Sequence, residues 1–123
     1  MGKLYFGGSL ETIEKISLLG FEPGQNLSDN LLEAMIQARN SVGLNRRFKP
    51  VVLVIETPSP SFIKKSSTGI DVEKNFHPEI HQILLIKIDF TVPNLVRVNG
   101  AISPFYLSQS VKKREMLGKR VVR

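Results

Sequence analysis

The sequence lacks several features that would point directly to a chemical class. It has no cysteine and only two histidines among its 123 residues, which excludes disulfide bonds and thiol chemistry and disfavours a structural zinc site. No apolar segment approaches the roughly 20 residues that a membrane-spanning helix needs. We therefore expect one folded domain without a metal and without a membrane partner. The expected location is cytoplasmic, and a secreted toxin or effector is the alternative.

Positive charge is concentrated near the C-terminal end. The formal net charge is +6, and residues 112–123 account for +5 of it, with six basic residues and one acidic residue. Such asymmetry suggests a polyanionic partner, or a tail that its own charge keeps solvated. We predict a domain over residues 1–110 and a basic tail over 111–123 that contacts nucleic acid. The tail residues assigned to this contact are Lys112, Lys113, Arg114, Lys119 and Arg120.

The segment 51–55 predicts the centre of a sheet. It is continuous, apolar and mostly β-branched, with Pro50 before it and Pro58 soon after it. Five residues are too few for an ordinary helix, and a strand that is apolar at every position is covered on both faces. Residues 84–90 alternate between apolar and polar side chains, and we expect them to form a strand that pairs with this one.

Two helices are predicted before the central strand. Apolar residues at positions 10, 13, 16 and 19 share one helical face, with Ser9 as the N-cap and Gly20 after the last turn. A second helix is capped by Ser28 or Asp29 and ends at Gly43. These patterns predict an α+β fold in which two N-terminal helices pack on a mostly antiparallel sheet.

The remaining elements are predicted to be short strands and turns. Residues 3–6 predict a strand that Gly7-Gly8 ends, and residues 95–98 predict another. Asn99-Gly100 is the strongest hairpin signal, because both central positions of a type I′ turn favour positive φ. Residues 56–76 are expected to form one loose loop, which is long enough to suggest a function or mobility.

Two polar constellations are candidates for chemistry. His77, Glu79 and His81 alternate and would share one face of a strand, which suits a divalent metal or an acid–base pair; a solvated strand entrance is the alternative. Gly7-Gly8, between a strand and a helix, could present backbone N–H groups to a phosphate.

A basic loop precedes the central strand. Arg46, Arg47 and Lys49 surround Phe48, a pattern typical of contact with phosphates and stacked bases in single-stranded nucleic acid. The alternative is a solvated loop in which Phe48 covers the core.

Several short motifs occur in the order found in one known family. Leu4-Tyr5-Phe6-Gly7-Gly8-Ser9 precedes a helix that exits through Gly20-Phe21-Glu22-Pro23, and Asn26-Leu27-Ser28-Asp29 follows. Pro78-Glu79-Ile80 opens a late strand, and Ile102-Ser103-Pro104 comes after it. Over residues 3–107 the chain resembles the ADP-ribosyltransferase fold, in the group that includes small bacterial toxins and RNA 2′-phosphotransferases.

The resemblance implies a split antiparallel sheet and NAD as substrate. It puts Gly7 and Ser9 beside the nicotinamide amide and its ribose, and it pairs Arg46 or Arg47 with the pyrophosphate. Glu79 would be the catalytic residue for transfer of ADP-ribose to a protein or nucleic acid. Gly7 and Glu79 would then face each other across one cleft.

Two positions depart from the family pattern. Phe6 stands where the family has its NAD-contacting histidine, and Asn26 or Leu27 stands where it has a stacking tyrosine. The resemblance therefore implies either an active enzyme or an inactive copy that binds NAD. The alternative functions are a non-enzymatic RNA- or DNA-binding module, which uses the tail and the 46–49 loop, and a protein-interaction domain.

Overall fold

The computed structural model describes residues 2–43, 47–67, 69–88 and 95–104. Within these ranges the chain is α+β, as predicted, and neither helix is long and apolar enough to cross a membrane. The helices are α1 (Leu10–Leu19) and α2 (Leu31–Val42). The strands are β1 (Lys3–Ser9), β2 (Asn26–Leu27), β3 (Pro50–Glu56), β4 (Ile63–Ser66), β5 (Gly69–Val72), β6 (Ile80–Ile88) and β7 (Val96–Ile102).

The strands form two antiparallel sheets. The larger has the order β1-β3-β6-β7 and the smaller has the order β2-β5-β4. The sheets meet where Tyr5 of β1 exchanges backbone hydrogen bonds with Ser28, the residue after β2. We call the region between β1 and β2 on the Gly7 side of this bridge the split.

β3 is buried on both faces, as its sequence predicts. Val51, Leu53 and Ile55 point into a core that includes α1 and the smaller sheet. Val52 and Val54 point to the opposite face, where α2 packs. Burial of each such side chain contributes roughly 1.5–3 kcal/mol, so β3 anchors both helices. Its predicted antiparallel partner is confirmed as β6.

α1 has the predicted bounds and the predicted caps. The hydroxyl oxygen of Ser9 accepts a hydrogen bond from the backbone N–H of Thr12, which is the interaction of an N-cap. Gly20 has a φ of 82° and donates its N–H to the carbonyl of Ile16, which ends the helix. Ile13 and Ile16 are buried, so the predicted apolar face is the one that packs on the sheet.

The N-cap of α2 is Asn30, so the prediction of Ser28 or Asp29 is wrong. Oδ1 of Asn30 accepts from the N–H of Glu33 at 3.1 Å. Ser28 is buried, and its hydroxyl accepts from the N–H of Asn30 at 3.0 Å, which shapes the turn before the helix. All three residue types are strong caps, so the sequence pattern does not distinguish between them.

Gly7 and Gly8 continue β1, and the prediction that they end the strand is wrong. They pair with Val52 and Val51, and the strand runs on to Ser9. Glycine is unfavourable inside a strand but is used where another backbone comes close. That condition holds at Gly7, because the α2 backbone passes directly over it.

The segment 56–76 is folded, and the prediction of one loose loop is wrong. A 3-10 turn over Pro60–Phe62 leads into the hairpin of β4 and β5. Ile70 and Val72 of β5 are buried, and the rings of Phe62 and Phe76 lie 5.7 Å apart. The sequence gives little indication of β4, because it is a short edge strand. Its exposed Lys64 and Lys65 are adjacent, so apolar and polar residues do not alternate along it.

Asn99 and Gly100 form a bulge inside β7, and the predicted hairpin turn is wrong. The register between β6 and β7 shifts between Leu84 and Ile86, so two residues of β7 oppose the single residue Leu85. Gly100 has a φ of 110°, which is the positive φ that the Asn-Gly pair predicts. A bulge can use a glycine with positive φ, as a turn does. The predicted backbone conformation of Gly100 is therefore found, but the chain continues as one strand and does not turn back.

Candidate functional site

β1 is an edge strand of the larger sheet, and its peptide groups alternate in direction. In an antiparallel strand, one residue points both its N–H and its C=O to one side, and the next residue points both to the other. Tyr5 points away from β3: its N–H donates to the Ser28 carbonyl at 2.8 Å, and its carbonyl accepts from the Ser28 N–H at 2.9 Å. Gly7, two residues further on, therefore also points its peptide groups away from β3.

The opposite side of the split is formed by β2. The carbonyl of Gln25 accepts from the N–H of Val72 in the smaller sheet at 2.8 Å, so Gln25 points away from β1. Because the direction alternates, Asn26 points its N–H and C=O toward β1, as Ser28 does. Two residues forward from Tyr5 in β1 and two residues back from Ser28 in β2, Gly7 and Asn26 are the next pair whose peptide groups face each other.

No strand pairing is recorded for this facing pair. Within the described ranges, a β-bridge links Tyr5 and Ser28, and none links Gly7 and Asn26. Both residues are partly exposed. The split therefore presents an N–H donor and a C=O acceptor on each of its two sides. A planar group that carries both a donor and an acceptor could bind between them.

Gly7 and Ser9, which the family resemblance assigns to NAD, both have structural roles. A Cβ on Gly7 would lie 1.8 Å from the carbonyl oxygen of Ala34 in α2, so this position accepts only glycine. The Ser9 hydroxyl lies 3.3 Å from the N–H and 3.0 Å from the hydroxyl of Thr12. The Ser9 side chain is therefore committed to the end of α1, whereas Gly7 keeps its peptide group available at the split.

Glu79 lies near the other end of β3 from Gly7. Gly7 pairs with Val52, whereas the Glu79 carbonyl accepts from the N–H of Glu56, the last residue of β3. Four residues of strand separate these points, which is roughly 13 Å at about 3.3 Å per residue. The structure therefore does not bring Gly7 and Glu79 together across one cleft. The Glu79 side chain is exposed, just before β6 begins.

The predicted group of His77, Glu79 and His81 is not aligned along one strand, because β6 begins at Ile80. Nε2 of His81 lies 2.5 Å from Oε2 of Glu56, and the two side chains are 34% and 38% exposed. Such an exposed pair contributes about 0–1 kcal/mol and joins the ends of β3 and β6. In the part of the chain that the structure describes, no three potential metal-ligating side chains form a group.

The described part of the basic loop lies at the Gly7 end of β1. Arg47, Phe48 and Lys49 are all exposed, and the carbonyl of Lys49 accepts from the N–H of Leu10 at 2.9 Å. Phe48 is 39% exposed, so part of this aromatic side chain is accessible at the surface. The predicted site residues outside the described ranges are Arg46, Lys112, Lys113, Arg114, Lys119 and Arg120.

Sequence reasoning named Asn26 only as a departure from the family pattern and missed the position of its peptide group opposite Gly7, and it also missed a cavity between α2 and the β4–β5 hairpin. Neither feature has a local signal. Asn26 reaches the split because β2 pairs with β5, far along the chain, and the cavity exists because the hairpin folds against the start of α2. Only the long-range strand pairing brings these residues together.

Comparison of the chain with family models, curated proteins and solved structures gives no significant match.

Proposed function

We propose that this chain is an ADP-ribosyltransferase-like protein that binds NAD, with the nicotinamide carboxamide in the split. The proposal rests on the facing peptide groups of Gly7 and Asn26, for which no β-bridge is recorded in the described ranges. A strand edge binds an extended ligand through alternating donors and acceptors, as in strand addition. A carboxamide carries one acceptor and two N–H donors in a plane. It can therefore bind between the two strands, with hydrogen bonds to the peptide groups on both sides of the split.

The family resemblance supports the same location from an independent direction. It assigns Gly7 to the nicotinamide amide, and it assigns the family's stacking tyrosine to Asn26 or Leu27. The structure has Gly7 and Asn26 as facing residues on the two sides of the split. This placement supports the proposal, although Asn26 and Leu27 depart from the family's tyrosine.

The basic segment before β3 lies at the same end of β1 as the split and supports a dinucleotide as the ligand. Arg47 and Lys49 lie on the segment that enters β3 beside Ser9 and Leu10, at the Gly7 end of β1. A guanidinium binds phosphate oxygens through two parallel hydrogen bonds. We assign the pyrophosphate of NAD to this segment, with Arg46 or Arg47 as its partner. The backbone of Glu79 lies roughly 13 Å along β3 from that of Gly7, so the proposal gives Glu79 no contact with the carboxamide.

Thermal unfolding with matched ligands tests the binding proposal. NAD at about 100 times its Kd should stabilise the chain by about 2.7 kcal/mol, seen as a higher Tm. Nicotinic acid adenine dinucleotide is the control ligand, because its carboxylate has no N–H to donate and would be repelled by the Gly7 and Asn26 carbonyls. Equal stabilisation by the two dinucleotides, or none by saturating NAD, would contradict the proposal.

A variant pair tests the Asn26 side of the split. Asn26→Pro removes the N–H that faces β1 without removing a backbone bond to β5, and it should abolish the Tm shift with NAD. Asn26→Ala keeps that N–H and, like the proline variant, loses the side-chain bond from Nδ2 to Asp71, which is 2.8 Å long. If Asn26→Ala loses NAD binding to the same extent, the peptide group is not the contact.

The second candidate function is binding of single-stranded nucleic acid, and the exposure of Phe48 between Arg47 and Lys49 favours it. An exposed aromatic ring stacks on a base for about 1–3 kcal/mol, with basic neighbours on the phosphates. Phe48→Ala should then weaken binding of a fluorescent oligonucleotide about tenfold, and affinity should fall steeply with salt. Phe62→Ala, which changes a half-buried ring elsewhere, is the control; an equal loss there would count against the assignment.

A further inference from the structure

A cavity of about 270 Å³ lies between the start of α2 and the tip of the β4–β5 hairpin, on the opposite side of the Tyr5–Ser28 bridge from the split. We call it the hairpin pocket. It is smaller than the roughly 300–1,000 Å³ of pockets for drug-sized ligands, so it suits a molecule of amino-acid size. Its lining residues are Ser28, Asp29, Glu33, Lys65, Ser66, Ser67, Gly69 and Ile70.

The two walls of the hairpin pocket carry opposite charges. Asp29 and Glu33 lie on the α2 wall, and Lys65 lies on the hairpin wall. The structure records no ion pair for any of the three within the described ranges. Two acidic residues and one basic residue therefore line a shared cavity, and their formal charges sum to −1.

The backbone of the α2 wall is well anchored. The N–H of Glu33 donates to Oδ1 of the Asn30 cap at 3.1 Å, and Ser28, which is 2% exposed, exchanges backbone hydrogen bonds with Tyr5. Oε2 of Glu33 lies 3.3 Å from the Ser28 hydroxyl, whose proton has a second acceptor in the Asn30 carbonyl at 3.2 Å. The exposed Glu33 carboxylate is therefore only weakly held and remains able to bind a ligand.

We propose that the hairpin pocket binds a free dibasic amino acid, such as L-lysine. Such a ligand carries two cationic groups and one carboxylate, which is the reverse of the charge pattern on the walls. The two ammonium groups pair with Asp29 and Glu33, the carboxylate pairs with the Lys65 ammonium, and the Ser67 hydroxyl is available to the carboxylate. Charge-assisted hydrogen bonds at each end determine the orientation of the ligand.

Calorimetry and amide chemical shifts with L-lysine test this proposal. L-lysine should bind with a Kd below about 1 mM and shift the amides of Gly69 and Ile70. Cadaverine lacks the carboxylate and L-norleucine lacks the side-chain ammonium, and each should bind at least about tenfold more weakly. No heat and no shift with L-lysine at about 10 mM, or equal binding of L-norleucine, would overturn the proposal.

Matched variants separate the pocket from general charge effects. Glu33→Gln and Lys65→Met should each weaken L-lysine binding by about tenfold or more. Lys64→Met removes the neighbouring ammonium of β4, which does not line the pocket, and Glu11→Gln removes the carboxylate in the first turn of α1. Both controls should bind as the native chain does, and an equal loss in either would show a non-specific charge effect. NAD should neither compete with L-lysine nor lose its Tm shift in Glu33→Gln, so the two sites can fail independently.

Discussion

Gly7 combines two requirements at the scale of a single residue. Its missing side chain lets α2 approach β1, and its peptide group faces the split. The backbone atoms nearest to a Cβ built at Gly7 are the Ala34 carbonyl oxygen at 1.8 Å and the Ala38 nitrogen at 2.8 Å. Backbone inside a helix cannot move aside as a flexible side chain can, so any larger residue must displace α2.

Gly7→Ala should therefore lower the free energy of unfolding by about 3 kcal/mol, at the upper end of the usual cost of overpacking. Urea-induced unfolding followed by circular dichroism measures this change. Because the variant loses stability without any ligand, it is unsuitable as a test of NAD binding. NAD binding is better tested by comparing NAD with nicotinic acid adenine dinucleotide and by the Asn26 variants.

Gly24→Ala is the matched control for Gly7→Ala. Gly24 has a φ of 94°, but no atom lies within 4 Å of the point that a Cβ would occupy there, so the substitution costs only backbone strain of about 1–2 kcal/mol. If both variants lose the same stability, the close approach of α2 is not the cause of the effect at Gly7.

At the scale of elements, the β4–β5 hairpin is the largest difference between expectation and structure. The N–H of Val72 donates to the Gln25 carbonyl, and Val72 is 2% exposed. Buried, hydrogen-bonded amides exchange only through larger openings of the fold. We therefore expect the Val72 amide to exchange on the order of a thousandfold more slowly than that of Ser67, which lies in the exposed tip of the hairpin.

Hydrogen exchange followed by NMR makes this comparison, with the Leu53 amide of β3 as the reference for the core. Protection of Val72 close to that of Leu53 would mean that the two sheets open together. Fast exchange at Val72, equal to that at Ser67, would instead favour the loose segment that the sequence alone predicts.

The elements that local patterns predict are those whose signals lie within a few residues. α1 is specified by its spacing, by Ser9 and by Gly20, and β3 by a continuous apolar segment between prolines. The hairpin and the bulge at Asn99-Gly100 depend on partners elsewhere in the chain. Positive φ at Gly100 is a local property, whereas its use in a bulge is decided by continued pairing with β6.

The same division applies to the candidate site. Gly7 could be selected from sequence because glycine between a strand and a helix is conspicuous. Asn26 and the hairpin pocket could not, because pairing with residues more than forty positions away brings them into place. Ser9 has a strong local explanation as a helix cap, which accounts fully for its side-chain contacts.

At the scale of the whole molecule, β3 separates the two groups that the family resemblance would unite. The split lies beside Val52, and Glu79 lies beside Glu56, roughly 13 Å further along the strand. A carboxylate that stabilises the transition state must be within hydrogen-bond reach of the reacting group. The proposed carboxamide site at Gly7 therefore lies away from Glu79, and we expect Glu79 to take no part in it.

Glu79→Gln should accordingly leave the Tm shift with NAD unchanged and should not alter the rate at which nicotinamide is released from NAD. Glu79 is exposed, and its backbone bond to Glu56 survives the substitution, so the variant should fold normally. Calorimetry measures the binding, and chromatography of nicotinamide measures the chemistry. Glu11→Gln on α1 is the surface control. The contrary result would be a variant that binds NAD normally but releases nicotinamide at least about a hundredfold more slowly. A loss of that size follows removal of a group that acts in the transition state, and it would support the catalytic role that the resemblance implies for Glu79.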